Sequence, residues 1–517
     1  MIRLKSPQSS FYGSYLYDRI VPEDHLLRKI NRAVDFSFVH DLVRDRYIPH
    51  FGRPAEDPEF MLRLCLLQYL YGDSDRRVIE NARMHLAYKY FLGLAVDDEV
   101  PDDTTISYFR VRRLGEEKFR EIFENIVQQC IDSGLVTGSR QIVDSTHVVA
   151  DIAITSLTGL LNICRRNVLE AVAEQDRKMA ERMGMNRISN PGQIRFTRKE
   201  DGLEKELDEA KNLLDGVTDE FRQGSLKAAP ELRKSLELLE KAVADREDAV
   251  KDRLVSPVDP DARRGRKESK RWVGYKGHLI MEEDSEIITA IDATPANAAD
   301  GSQLKGLLKQ QEHAYSLIPE ELTGDKAYDS GANLDLLDIK GISGVIRLTK
   351  KTNHMGLDLF TVDDFRYDAD TDTLQCPGRC ITSKSTRAVY HRRDQTKKGV
   401  IFQFSPKQCN PCALREKCNR NSRGRAVYIS YYHHLFQEMR ERLGTPEGQE
   451  AIRSRSKIEH RIANLTRYCG MRRSRYRGMS RIRIHILLSA IASNVKRMAR
   501  LLCPPPEPLP PRPDMAV

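Results

Sequence analysis

A chain of 517 residues holds enough material for two to four domains and a large core. Its formal charge of +9, from 84 Lys and Arg against 75 Asp and Glu, favours a polyanionic partner. No apolar run approaches the roughly 20 residues of a membrane span, and Met1-Ile2-Arg3 opens no secretory apolar segment, so a soluble, cytoplasmic chain with no membrane partner is expected.

Residues 1 to about 135 read as helical. Leu26, Ile30 and Val34, then Met61, Leu64, Cys65, Leu67 and Leu70, recur at helical spacing. Pro101-Asp102-Asp103-Thr104-Thr105 is a helix start. The Arg residues that follow it, Arg110, Arg112 and Arg113, suit either phosphates or a solvated basic face.

The next stretch, QIVDSTHVVADI (141–152), sets one acid, Asp144, among β-branched strand formers. A carboxylate there is unfavourable to bury unless it is paired or ligates a cation. A helical excursion follows over 155–255. Leu203, Leu207, Ala210, Leu214 and Val217, then Leu232, Leu236, Leu239 and Val243 beyond the Gly224 to Pro230 break, predict an antiparallel helical hairpin.

Residues 263–276 combine six basic side chains with Trp272, Tyr275 and Lys276. Basic groups track phosphates and aromatics offer stacking faces for unpaired bases, while a flexible loop leading into a strand with Trp272 in the core is the alternative. Strands are predicted in 277–284, 286–296, 324–330 and 344–348, with a helix from Asp300. Asp325 falls at the carboxyl end of a strand, where α/β sheets bind ligands, and Asn333 onward reads as helix. With the 141–149 strand this makes five strands and intervening helices, an α/β pattern.

The stretch from about 350 to 450 reads as a long insertion. It carries five of the ten cysteines, in Cys376-Pro-Gly-Arg-Cys380 and Cys409-Asn-Pro-Cys412-Ala-Leu-Arg-Glu-Lys-Cys418. The x2 spacing of Cys409 and Cys412 suits tetrahedral zinc. The expected structural set is Cys376, Cys409, Cys412 and Cys418, with Cys380 the rival to Cys376 and unliganded thiols the alternative. From about 446 to 502 the chain reads as helices, with Glu459 among basic residues and Arg467, Arg472, Arg473, Arg475 and Arg477 around Tyr468 and Tyr476. Residues 504–513 are Pro-rich and read as an extended, disordered tail.

Two Asp on strands and a Glu on a later helix form an oxygen-donor set able to hold two divalent cations. Such a site activates water and stabilises both oxygens of an in-line phosphoryl displacement.

The order and settings of Asp144, Asp325 and Glu459 resemble the DDE transposases of bacterial insertion sequences, in the branch with the pattern Tyr-x2-Arg-x3-Glu-x6-Lys. Arg455 and Glu459 match that pattern; Ile452 stands at its Tyr and Thr466 at its Lys, with Arg467 one place later. Residues 274–301, GDKAYDS (324–330) and 475–498 match as well, so the resemblance runs from about Phe11 to Arg497.

The resemblance implies an RNase H-like mixed-sheet catalytic core, 136–349 plus 446–502, interrupted by the helical insertion. It also implies a helical N-terminal DNA-binding domain, 1–135, a Cys-containing β-rich insertion, 350–445, and a tail, 503–517. Asp144 would bridge two ions, Asp325 would hold one and Glu459 the other, with Mg2+ the expected ion and Mn2+ a substitute. The expected partner is double-stranded DNA, as terminal inverted repeats and target, bound by a dimer or higher assembly. Arg455, Arg467, Arg472, Arg473, Arg475, Trp272 and Lys276 are the candidate DNA contacts. The alternatives are a nuclease that cuts without joining and a non-catalytic DNA-binding regulator.

Overall fold

The computed structural model describes residues 11–47, 55–188, 201–227, 229–247, 252–267, 269–349, 359–392, 395–419 and 422–504; the Pro-rich tail lies almost wholly outside them. The first helices are α1 (Phe11–Ile20), α2 (Leu26–Ala33), α3 (Val39–Leu42), α4 (Pro58–Tyr71), α5 (Asp75–Met84), α6 (Leu86–Phe91), α7 (Asp103–Tyr108) and α8 (Gly115–Asp132). Their ends are written locally. Asp57 accepts from the amides of Glu59 and Phe60 to open α4, Pro58 occupies its first turn, and Gly72 closes it at φ 79°. Asp102 caps α7 as expected. A π-helical turn, Phe109–Leu114, then interrupts the run.

Strand β1 (Arg140–Val149) is followed by α9 (Leu157–Ala173), α10 (Arg177–Arg182), α11 (Asp201–Arg222) and α12 (Pro230–Glu247). The last two close onto α9 as well as onto each other, forming a separate apolar cluster that includes Leu161, Val168, Ala210, Val217, Leu232 and Leu239. Arg165 of α9, nearly buried, pairs with Glu206 at 2.6 Å and Glu209 at 2.5 Å on α11. The expected hairpin therefore packs as part of a helical bundle within the chain.

The sheet continues with β2 (Arg263–Lys267), β3 (Lys270–Glu282), β4 (Ile288–Pro295), β5 (Glu321–Gly324) and β6 (Ser343–Ile346); α13 (Leu304–Tyr315) precedes β5 and α14 (Gly331–Ile339) precedes β6. Its order is β2-β3-β1-β5-β6, and β4 pairs with β3 beyond β2 along the same edge. β3 runs antiparallel to β1, while β1, β5 and β6 are parallel. This mixed sheet is compatible with an RNase H-like core.

Two expectations change here. Residues 263–267, for which a flexible loop was one of two alternatives, form a sixth strand because β3 is long enough to pair with both β2 and β4. The 324–330 segment is not a strand: β5 stops at Gly324, and a 3-10 turn, Lys326–Tyr328, begins at once because Asp325 accepts the Ala327 amide at 2.8 Å.

Helices cover both faces of the sheet, and the central strand β1 is buried or half-buried at every residue after Arg140. Val143 and Ile280 face α13, α14 and α17 (His433–Gly444). Ile142, Val148, Leu279 and Met281 face a larger cluster that runs from Leu27 to Ala499. At its centre lies the C-terminal helix Met479–Leu502, buried around most of its circumference and packed on α2, α4, α8 and β4. The helical N-terminal region thus shares one core with the mixed sheet.

Gly274, at φ 149°, lets β3 run close beside β1: a Cβ there would lie 2.2 Å from the Val148 carbonyl oxygen. Gly274→Ala is expected to lower stability by about 1–3 kcal/mol from backbone strain, checked by thermal melting.

The insertion holds two small sheets. One contains β7 (Arg366–Asp368), β8 (Thr373–Gln375) and β9 (Ile381–Thr382); the other contains β10 (Ser385–Arg392), β11 (Gln395–Gln403) and β12 (Ala426–Ser430). Short helices α15 (Pro406–Cys409) and α16 (Arg415–Cys418) lie between β11 and β12. After α17 come α18 (Pro446–Ser454), α19 (Ser456–Tyr468) and the C-terminal helix, α20.

Candidate active site

In the parallel pairing of β1 with β5, Val143 stands opposite Gly324. The residue after each is an acid, Asp144 on β1 and Asp325 just past the end of β5, so the two lie on neighbouring segments at the same level. Gly324 keeps this approach close: a Cβ there would meet Ile346 Cδ1 at 2.9 Å and Val143 Cγ1 at 3.1 Å. Asp144 is 6% exposed. One carboxylate oxygen accepts the Ser145 amide at 2.7 Å, and the other accepts from Arg455 Nη1 at 3.1 Å. Burial pushes its carboxyl up to about 6, and the negative charge of Asp325 pushes the same way; the Ser145 amide, Arg455 and Lys267 oppose them.

Glu459 sits in the first turn of α19, which packs on β1. Its side chain is largely exposed and accepts from Arg455 Nη2 at 2.6 Å. One guanidinium, mostly buried, therefore joins Asp144 to Glu459. The resemblance implied a DNA contact for Arg455; in the structure it lies between two of the acids.

Tyr328 was not anticipated. It is fully buried, its hydroxyl has no hydrogen-bond partner among the described residues, and Asp144, Asp300 and Asp325 all act on it electrostatically. The signal was its place three residues after Asp325, on the turn that acid caps.

The other candidate contacts divide into two kinds. Arg467 and Arg472 are exposed and form no ion pair among the described residues. Arg473, also exposed, pairs with Asp151 at 2.8 Å, and its segment extends the end of β1 through a bridge to Val149.

The remainder hold the fold together. Arg475 donates to the carbonyls of Gln68 and Asp73 and lies over the Tyr69 ring at 5.0 Å, tying α4 to the segment before α20. Lys276 Nζ donates to Asp300 at 2.7 Å and to the Ala298 carbonyl at 2.8 Å. Trp272 packs over Gly265 and beside the His147 ring, centroids 5.1 Å apart, and its indole N–H donates to the Tyr275 carbonyl. Arg110, read as a phosphate contact or a solvated residue, is buried against Asp75 and Gln68 instead.

Cys376, Cys380, Cys409, Cys412 and Cys418 line one cavity together with Phe360, Phe365 and Phe404. Four thiolates would suit zinc chemically. Among the described residues, however, no group of three or more His, Cys, Asp or Glu side chains is placed to hold a metal ion, so the zinc expectation gains no support. Cys376, Cys380, Cys409 and Cys418 pack against the insertion's apolar core. The same absence applies to the three acids as a ready-made cage. Magnesium asks less of a protein: one or two carboxylates plus substrate phosphates suffice, and the neighbouring Asp144 and Asp325 supply that donor chemistry.

Residues 15–112 match the family model described as Transposase domain (DUF772), and residues 379–499 match the one described as Transposase DDE domain. The two matches support a DDE transposase family. Arg455 and Glu459 fall inside the second match, whereas Asp144 and Asp325 fall outside both. DDE transposases generally use divalent metals such as Mg2+. No curated protein matches the chain. No helix among the described residues is long and apolar enough to cross a membrane.

Proposed function

We propose that the chain is a DNA transposase of a bacterial insertion sequence, in the branch with Tyr-x2-Arg-x3-Glu-x6-Lys around the catalytic Glu. It binds the terminal inverted repeats of its element, cleaves a phosphodiester at each end and joins the freed 3′ hydroxyl to target DNA. The observation that carries this reading is the pair of acids, Asp144 and Asp325, side by side on β1 and at the end of β5, with Arg455 linking Asp144 to Glu459.

Asp144, Asp325 and Glu459 would hold Mg2+, with Mn2+ a substitute; a bound ion supplies Lewis acidity toward a phosphoryl oxygen and lowers the pKa of attacking water. The chain's own residues do the rest. Burial of Asp144 excludes water from one side of the reacting phosphate and strengthens every charge interaction there. Arg455 offsets the repulsion among the acids and orients the exposed Glu459 carboxylate. Arg467 and Arg472 lie on the DNA backbone. Action at two ends implies at least two protomers on DNA, in the cytoplasm at the nucleoid.

The test is a magnesium-dependent assay on DNA bearing the sequences that flank the gene. The expected result is cleavage and joining, both lost in Asp325→Asn and Glu459→Gln. Cleavage without joining would favour a nuclease, and end binding without either step a regulator, as the replacements at Ile452 and Thr466 would suit. Arg472→Ala is expected to weaken end binding and reduce its salt dependence by about one unit of log–log slope, read by gel shift at several salt concentrations.

A further inference from the structure

The β2–β3 pairing leaves a narrow two-stranded ribbon beyond the end of β1, because β1 stops opposite Gly274 while β3 begins at Lys270. Along this ribbon Arg266 stands directly opposite Arg271, and Lys267 opposite Lys270. Like charges in register across two strands repel and cost a few tenths to about 1 kcal/mol per pair. Arg264, Lys267, Lys270 and Arg271 are exposed, and among the described residues they form no ion pair. A ribbon built for stability alone would alternate its charges. At these four positions the ribbon carries positive charge that no ion pair among the described residues offsets.

Its direction adds to the case. The ribbon leaves the sheet past the carboxyl end of β1, the strand that carries Asp144. Lys267 acts on Asp144, and Lys267, Lys270 and Arg472 together act on His147, so the ribbon and the exposed Arg472 flank one region beside the acids. The base of the ribbon is stiff. Trp272 lies over Gly265, where a Cβ would come within 2.4 Å of the indole ring, and Trp272 also packs against His147.

We infer that the β2–β3 ribbon is a docking surface for duplex DNA, holding the phosphate backbone beside Asp144 through Lys267, Lys270, Arg271 and Arg264. A two-stranded ribbon fits the roughly 12 Å width of a major groove. Lysine and arginine contacts to phosphate position a duplex without reading its sequence. The inference rests on the transposase reading and deepens it: this surface grips whatever duplex adjoins the reacting phosphate, element flank or target alike.

The test compares the full chain with Lys267→Gln/Lys270→Gln/Arg271→Gln on a duplex of arbitrary sequence. The triple variant is expected to bind at least about tenfold more weakly at moderate salt, with its log–log salt slope smaller by about 2.7 (about 0.9 for each phosphate no longer neutralised). Its melting temperature should hold or rise, because opposed charges have been removed. An unchanged slope, with the parent binding DNA normally, overturns the ribbon assignment and leaves the transposase reading standing. A parent chain that binds no duplex overturns both. A fall in melting temperature with unaltered DNA binding also overturns the ribbon assignment, since the charges would then be structural.

Discussion

Asp144→Asn is expected to abolish cleavage and strand transfer together while leaving DNA binding intact. A carboxamide keeps the shape of the side chain but is a poor ligand for a hard cation. Loss of several kcal/mol of charge stabilisation at the reacting phosphate corresponds to about a thousandfold or more in rate. The same substitution should stabilise the fold. The folded-state value of the carboxyl, about 6, lies above its ordinary 3.8. Between those values the folded chain retains a proton that the unfolded chain has released, so this group's contribution to stability falls as pH rises through that window. Asn never ionises and is free of that loss; Arg455 still has Glu459. The variant should therefore melt higher than the parent at neutral pH without divalent ions, and depend more weakly on pH between about 4 and 6. Cleavage near the parent rate would remove Asp144 from the centre of the mechanism. A lower melting temperature would mean that its bond to Arg455 outweighs the cost of its burial.

Arg110→Ala is the substitution expected to damage the fold most. Arg110, 2% exposed, donates to Asp75 at 2.5 and 3.0 Å and to Gln68 at 2.8 Å, and it lies 5.2 Å from the Tyr476 ring centroid. Removing one partner of a buried pair strands the other charge; because Asp75 keeps partial solvent access, the low end of the usual range, about 3 kcal/mol, applies. Arg110→Met, which restores volume but not charge, should recover only part of this, as read by chemical denaturation. The pair also has a pH signature. Burial alone would raise the Asp75 carboxyl, but hydrogen bonds and charge from Arg110, with Gln68, hold it below its ordinary 3.8. Its stabilising contribution is thus complete above that value and is lost as pH falls through the lowered one. Arg110→Ala should flatten this part of the acid limb.

The strands β1 and β5 were legible because they obey a local rule. β-branched residues around one acid predict a strand with something to hold, and a Gly-Asp step before a helix predicts a strand end. The Asp102 cap is likewise local. Partner choice among charged residues was not legible, because it is decided by segments far apart in sequence. Nothing near Arg110 announces that Asp75 and Tyr476 will enclose it, or near Arg475 that the carbonyls of Gln68 and Asp73 will receive it. Arg455 shows the same effect inside the site: the resemblance implied a DNA contact, and the fold set it between Asp144 and Glu459. The β2 strand was hidden by its composition, since five residues with four basic side chains look like a loop until β3 is seen to extend beside them. The cysteines were the opposite case: a local spacing suggested zinc, and among the described residues the fold brings the five thiols to one cavity without placing three or more of them to hold a metal ion.

The position of α20 bears on how the protein is made. Helices α2, α4 and α8 are synthesised first, yet the apolar faces they share with α20 stay uncovered until residues 479–502 have left the ribosome. Tyr69 of α4 waits just as long for His485, to which its hydroxyl is hydrogen-bonded at 2.9 Å. The N-terminal helices therefore reach their final packing only as part of a chain that already carries Asp144, Asp325 and Glu459. A product ending before residue 479 would lack the helix that completes this core. Early termination of translation would yield an aggregation-prone fragment, not a smaller protein that occupies DNA ends and competes with the full-length chain.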